Sequence, residues 1–297
     1  MSGKVLVIGA TGNVGGGVLG ALVGKSGDVR GLARTQEGAK AVRDAGAEAA
    51  IGDLADPGSL AAAFDGVNAV FIVTRGTEDQ VEMAGNAIDA AKRAGVGRIV
   101  RSSAFVPEPA LDTTLGRQHH EIDRLVEASG VPYTIIKPTF FMQNLLGSAS
   151  TVASHGVLYL PFGAGRAGCI DVRDIVDVAV EVLVADGHQG ATYTLTGPAS
   201  ISMHDVAVAL TTQLGRPVAY VDVPVAAGVE ALVGMGMSPF MAKTFGELFV
   251  NFADNGADRA TGDVANVAGH PARSIDDFVR DFADAFGTRE PAGILAA

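Results

Sequence analysis

Along the first two thirds of the chain, short apolar runs alternate with stretches whose apolar residues recur every three or four positions. Lys4-Val5-Leu6-Val7-Ile8 is short enough for one buried strand, and Val14 to Val23 follows with helical spacing. Val29-Arg30-Gly31-Leu32-Ala33-Arg34 reads as a second strand. Ala47 to Asp53, Ala69 to Thr74, Arg98 to Ala104 and Tyr133 to Pro138 read as later ones, with amphipathic segments such as Val81 to Ala94 between them. This alternation, sustained to about Leu183, is the sequence form of a parallel sheet covered on both faces. It predicts an α/β protein with a doubly wound, Rossmann-type sheet.

Beyond Gly187 the rhythm changes. Thr192 to Thr196 and Val218 to Val223 look like strands, Ser202 to Leu214 looks like a helix, and the rest is mostly helical and rich in Met and Phe. The expected organisation is a Rossmann domain over residues 1–150, rejoined by 169–186. A smaller, mostly helical C-terminal substrate subdomain is expected from 151–168 and 187–297. Met235, Met237, Phe240, Met241, Phe245, Leu248, Phe249 and Phe252 suit core packing or an apolar lid over a substrate.

The first strand breaks at Gly9-Ala10-Thr11-Gly12-Asn13-Val14-Gly15. Glycines spaced in this way, after a strand and opening a helix, let backbone N–H groups approach a pyrophosphate at the positive end of the helix. The residues of this cradle that face the ligand are Gly9, Thr11, Gly12, Asn13, Val14 and Gly15. At the end of the second strand, where an NAD site places a carboxylate on the ribose, this chain has Arg34. A guanidinium there suits a 2′-phosphate, so the cofactor expected is NADP(H), with Arg30 as a second candidate for the same phosphate.

Composition narrows the partners. The 297 residues are 48% hydrophobic and carry a net charge of −11, with Lys and Arg scattered singly, which disfavours nucleic-acid binding. No apolar run is long enough to span a bilayer, and the first strand begins too early for a signal peptide, so a cytoplasmic location with no membrane partner is expected. The single cysteine, Cys169, excludes an internal disulfide and reads as a buried, inert thiol. Oligomer formation is left open.

Several longer motifs carry a resemblance. They are Gly9 to Gly15, Gly52-Asp53-Leu54, Ser129-Gly130-Val131-Pro132-Tyr133-Thr134-Ile135-Ile136-Lys137-Pro138, Phe140-Phe141-Met142-Gln143-Asn144 and Asp171-Val172-Arg173-Asp174-Ile175, with weaker matches at Tyr193 to Pro198 and in a helix from Ser274 to Phe286. On these the chain resembles the NmrA-like atypical short-chain dehydrogenases, close to the NADPH-dependent quinone oxidoreductase type. The resemblance implies that Asp53 and Leu54 lie against the adenine and that Val73, Thr74 and Arg75 border the cofactor. All five lie at the carboxyl ends of strands, the edge where such sheets open their ligand crevice. Asp53 also suits a turn or helix cap before Pro57.

Ordinary short-chain dehydrogenases use a Tyr and a Lys four residues apart on a helix. Tyr133 and Lys137 match the spacing but lie in a β-branched, strand-like segment, where four residues rise about 13 Å against about 6 Å on a helix. Alignment on Ser129-Gly130 puts Leu115 and His119 at the Tyr and Lys positions. His119 is thus the catalytic candidate, able to touch the nicotinamide ribose or shuttle a proton. Ser102 and Ser103 are expected as polar lining. Phe140, Phe141 and Asn144 follow the sixth strand directly and are candidates for an apolar substrate pocket with one polar anchor.

His119, His120, Glu121 and Asp123 have a metal-like composition, but neighbouring histidines face different sides of a helix, and no metal is expected. Asp171 and Asp174 are expected to cap the helix that follows them. The function implied is hydride transfer from NADPH to a small apolar electrophile such as a quinone. The alternative is a nonenzymatic NADP(H) sensor acting through a protein partner. A sugar-nucleotide epimerase fits less well, because that chemistry depends on the Tyr and Lys.

Overall fold

The computed structural model describes residues 3–25 and 28–287. The first half runs β1 (Lys4–Ile8), α1 (Asn13–Lys25), β2 (Val29–Ala33), α2 (Gln36–Asp44), β3 (Glu48–Ile51), α3 (Ala61–Phe64), β4 (Val67–Ile72), α4 (Gln80–Arg93), β5 (Arg98–Ser102), α5 (Thr114–Ala128) and β6 (Tyr133–Pro138). The second half continues with α6 (Ala149–His155), β7 (Val157–Leu160), β8 (Arg166–Ala167), α7 (Val172–Val184), β9 (Ala191–Leu195), β10 (Ile201–Ser202), α8 (Met203–Leu214) and β11 (Ala219–Asp222). It closes with α9 (Val225–Gly234), α10 (Pro239–Ala253), α11 (Asp263–Ala268), α12 (Ile275–Asp281) and α13 (Ala283–Gly287).

Seven strands form one sheet in the order β3-β2-β1-β4-β5-β6-β9, and every neighbouring pair is parallel. Helices cover both faces, so central strands such as β1 and β4 are apolar almost throughout rather than alternating. One face of the sheet packs with α1 and α7 around Val18, Leu22, Phe71, Ile136 and Val178. The other packs with α4 and α5 around Ile72, Ile88, Ile99, Ile122 and Ile135. The strand order reverses between β1 and β4, which opens a crevice beyond their carboxyl ends.

A second core joins α6, α8, α10, α12 and α13 through Phe162, Phe249, Phe252, Phe278 and Phe286. The division expected from sequence is crossed at two points. β9 completes the main sheet by pairing with β6, and α11 packs on α7, although both lie within 187–297. Without β9 the outer side of β6 would present a row of unpaired backbone groups, which proteins avoid. The helix expected from Ser274 to Phe286 is two short ones, with a break at Phe282 that turns Phe286 into the second core.

Candidate functional site

The loop between β1 and α1 can be built only from glycine at its two tightest points. Gly9 takes a φ of +77°, and a side chain there would meet the carbonyl of Val73 at 2.7 Å. A Cβ on Gly15 would lie 2.2 Å from the carbonyl oxygen of Gly9, well inside contact distance. The Gly12 N–H bonds back to Gly9 at 3.0 Å and the Gly16 N–H to Gly12 at 2.7 Å, which starts the helix. The N–H groups of Asn13, Val14 and Gly15 belong to the first turn, where no helical carbonyl precedes them, and no acidic residue stands there to compete. Thr11 and Asn13 are exposed, whereas the Val14 side chain is part of the core, so only its backbone faces the crevice.

Arg34 is exposed just beyond β2, and Thr35 caps α2 by accepting from the Gly38 N–H at 3.1 Å. A Cβ on Gly38 would lie 3.7 Å from the Thr11 methyl, so the glycine loop and the start of α2 share one wall of the crevice. Arg30 does not belong to this site. It is 7% exposed and spends its guanidinium on Glu48 and on the carbonyls of Ala63 and Asp65, because its place near the start of β2 aims it under α3.

Asp53 and Leu54 are half-buried beyond β3; the Asp53 carboxylate accepts from Ala55 N–H, and the Leu54 carbonyl accepts from Asn86. The cap before Pro57 is Asp56 rather than Asp53. Val73 touches Gly9, Thr74 accepts from the Gln80 amide at 3.0 Å, and Arg75 is exposed. Gln80 is buried, and its Oε1 has no hydrogen-bond partner among the described residues. Free first-turn N–H groups, a loop that admits no Cβ and an exposed cation at the end of β2 together fit a phosphorylated dinucleotide.

A second polar group lies on the opposite face of the sheet, beneath α5. Thr113 caps this helix at the Gly116 N–H, and its buried stripe is Gly116, His119, Ile122, Asp123 and Val126. From β5 and the residue after it come Arg101 and Ser103, and from β6 comes Lys137. Ser103 Oγ donates to Asp123 Oδ2 at 3.0 Å, and Lys137 Nζ reaches the same oxygen at 3.0 Å. His119 Nδ1 lies 3.4 Å from Arg101 Nη2 and 3.3 Å from Ser103 Oγ. A guanidinium only donates, so the Arg101 contact makes Nδ1 an acceptor and leaves the ring proton on Nε2. Burial, with Arg101 and Lys137 adding to it, holds His119 well below the usual histidine range. Burial lowers Arg101 to about 10 against the opposing pull of Asp123, so it stays charged at neutral pH.

Of the other expected residues, Phe140 is 7% exposed and packs edge-on against Phe162 and Phe252 at 5.2 and 5.4 Å. It belongs to the second core rather than to an open pocket, because the chain turns down from β6 at this point. Phe141 is half-buried against the first core, and Asn144 is half-buried with its N–H on the Phe141 carbonyl. Asp171 caps α7 as expected, but Asp174 instead accepts from the backbone and guanidinium of Arg273. Asp174, Asp177 and His270 form a metal-like triad, and Arg273 already bridges its two carboxylates. The Cys169 thiol is buried and pushed up to about 12 by that burial.

Helix α10 spans from this polar group to the crevice. Glu247 accepts from the Thr114 N–H at 2.6 Å and from its hydroxyl at 3.1 Å, and Met241 closes on Gly76 in the loop after β4. In the sequence, Asp123 stands out only within a metal-like cluster and Lys137 only as a strand-bound match to the Tyr–Lys spacing, while Arg101 belongs to no motif. The available signal was alternation, since Lys137 shares the inward face of β6 with Ile135.

The NmrA-like family model matches residues 1–278. The chain is 38% identical to an NAD(P)H azoreductase of Xenophilus azovorans, over 95% of this chain and 99% of the relative. It is 35% identical to a (4-alkanoyl-5-oxo-2,5-dihydrofuran-3-yl)methyl phosphate reductase of Streptomyces griseus, again over 95% of this chain and 99% of the relative. Among solved structures, an NADPH-dependent quinone oxidoreductase of Escherichia coli in complex with NADPH superposes with a TM-score of 0.85 at 25% identity, covering 94% of this chain and all (100%) of the other.

Proposed function

The chain belongs to the NmrA-like family, and from that premise we infer that it is an NADP(H)-dependent oxidoreductase whose acceptor is a small, flat, apolar electrophile of the quinone or azo kind. The observation that carries the reading is the glycine cradle with Arg34 beside it. Asn13, Val14 and Gly15 hold the pyrophosphate through their first-turn N–H groups, Gly9, Thr11 and Gly12 shape the loop beneath it, and Arg34 takes the 2′-phosphate. Asp53, Leu54, Val73, Thr74 and Arg75 line the path of the cofactor along the strand ends. When bound, NADPH supplies the hydride.

The protein's own part is placement and electrostatics. His119, neutral and protonated on Nε2, offers a hydrogen bond to an acceptor oxygen or nitrogen on which negative charge develops. Phe141 and Asn144 shape the mouth after β6, and Met241 on α10 covers the loop after β4, which keeps water from the reacting atoms. The test is to incubate the purified protein with NADPH and a panel of quinones and azo dyes and follow the nicotinamide absorbance. Turnover with at least one class is expected. Tight NADP(H) binding with no turnover of any acceptor would sink the enzyme reading.

A further inference from the structure

Beside α5, over β6 and β9, lies a cavity of about 280 Å³. A cavity of about 150 Å³ already admits benzene, so this one has room for a substituted ring. Phe105, Val106 and Leu111 form its apolar wall. Opposite them, Lys137 on β6 pairs in register with Thr194 on β9, and Ile135 with Thr192, so both threonines share the α5 face of the sheet with Lys137. α11 packs against β9 from the other face. Neither threonine hydroxyl has a hydrogen-bond partner among the described residues.

The charges around this cavity do not balance. Asp123 is the one acidic residue of the lining, and it already faces two cations, Lys137 at 3.0 Å and the fully buried Arg101. His119 and His120 complete the α5 side, and an imidazole adds no negative charge in either protonation state. His119 Nδ1 is turned to Arg101 and Ser103, so the polar group left on its ring is the Nε2–H, a donor. Arg259 lies over the Phe105 ring, 5.2 Å from its centroid, with no ion-pair partner among the described residues. On the β9 side, Asp263 takes the Thr194 N–H. Among these groups Lys137, Arg101 and Arg259 outnumber Asp123 and Asp263, in a chain whose net charge is −11. The accessible cation of the lining is Lys137, whose side chain is 31% exposed and keeps two N–H groups beyond the one given to Asp123.

We propose that this cavity binds an aromatic carboxylate: one oxygen accepts from Lys137 Nζ, the other from Thr194 Oγ1, and the ring lies against Phe105 and Leu111. The two donors stand side by side on paired strands about 4.8 Å apart, a span that one carboxylate bridges. A carboxylate carries the single negative charge that the group lacks, and a flat ring covers the apolar wall. The proposal goes beyond the reductase reading, since it needs neither cofactor nor hydride transfer.

The test uses the full chain without NADPH, titrated calorimetrically with benzoate and with benzamide, a neutral molecule of the same shape. Benzoate is expected to bind at least about tenfold more tightly than benzamide. Lys137→Met should weaken benzoate about tenfold and leave benzamide nearly unchanged. Thr194→Val, which removes the second donor and suits a strand, should weaken benzoate about fivefold and serves if the Lys137 variant does not fold. Saturating 2′,5′-ADP, which fills the Arg34 end of the cofactor crevice, should leave benzoate affinity unchanged. Failure of benzoate to bind, equal binding of the two probes, or unchanged benzoate affinity in either variant overturns the proposal. Displacement of benzoate by 2′,5′-ADP also overturns it, because the anion would then sit in the cofactor crevice.

Discussion

Nζ of Lys137 lies 3.0 Å from Oδ2 of Asp123, which ties the end of β6 to the middle of α5 through the floor of the candidate site. The pair is not a surface ion pair, because Asp123 also faces the fully buried Arg101. Removing the carboxylate strands a buried guanidinium, whereas removing the more exposed ammonium leaves Asp123 with Arg101 and Ser103 nearby. Asp123→Ala is therefore expected to lose about 3–5 kcal/mol of stability and Lys137→Met much less. Denaturant unfolding of both variants measures the difference, and equal losses would mean that Arg101 does not depend on Asp123.

Cofactor choice turns on Arg34. Its loss should weaken NADPH binding by about 1.5–3 kcal/mol, roughly tenfold or more, and leave NADH binding nearly unchanged, because only NADPH carries the 2′-phosphate. Titration of Arg34→Ala with both nucleotides decides this. A parallel loss for both would place Arg34 on the shared part of the ligand.

Gly15 has no room for a methyl group. In Gly15→Ala the new Cβ would press on the Gly9 carbonyl at 2.2 Å, a backbone atom with little freedom to yield. The expected result is a loss of about 1–3 kcal/mol in stability and a larger fall in NADPH affinity, as the first turn of α1 moves off its cradle. Thermal unfolding and nucleotide titration together test it, and a variant with native affinity would show that the loop adjusts.

Glu247 joins α10 to the start of α5 by capping Thr114. Glu247→Ala should cost about 1 kcal/mol, the usual worth of a helix cap. In a chain of this size the melting temperature then falls by roughly 1–2 °C. Glu247→Gln, which keeps an acceptor, should recover part of the loss. The same drop in both variants would point to charge rather than to the hydrogen bonds.

His119 links stability to pH. Its folded pKa is lowered by burial and by Arg101 and Lys137, and Ser103 Oγ stands between the ring and the Asp123 carboxylate. As pH falls through the ordinary histidine value of about 6.5, the unfolded chain takes up a proton at this ring and the folded protein does not. The wild type should thus lose stability toward acid pH with a slope of up to about 1.4 kcal/mol per pH unit from this ring. Unfolding measured from about pH 7 to about pH 5 should show a shallower slope in His119→Gln. Identical slopes would mean that the ring is solvated and titrates in the folded state.

The sequence by itself determined the elements whose cause is local. An apolar run broken by Gly9, a helix opened at Asn13 and an Arg after the second strand need only nearest-neighbour chemistry to be read, and β1, α1 and β2 lie where the pattern puts them. β6 falls at Tyr133–Pro138 for the same reason, since β-branched residues before a proline favour a strand. Tertiary structure alone decided what those elements meet. Arg30 lies near the start of β2 and Arg34 four positions on, just past its end, so one points under α3 and the other stands open at the crevice. Phe140 joined the second core when the chain turned after β6, and β9 crossed from the C-terminal region to cover an edge that no local pattern announces. Asp123, Lys137 and Arg101 come from three separate elements, so their single charged group exists only once α5 closes on the sheet.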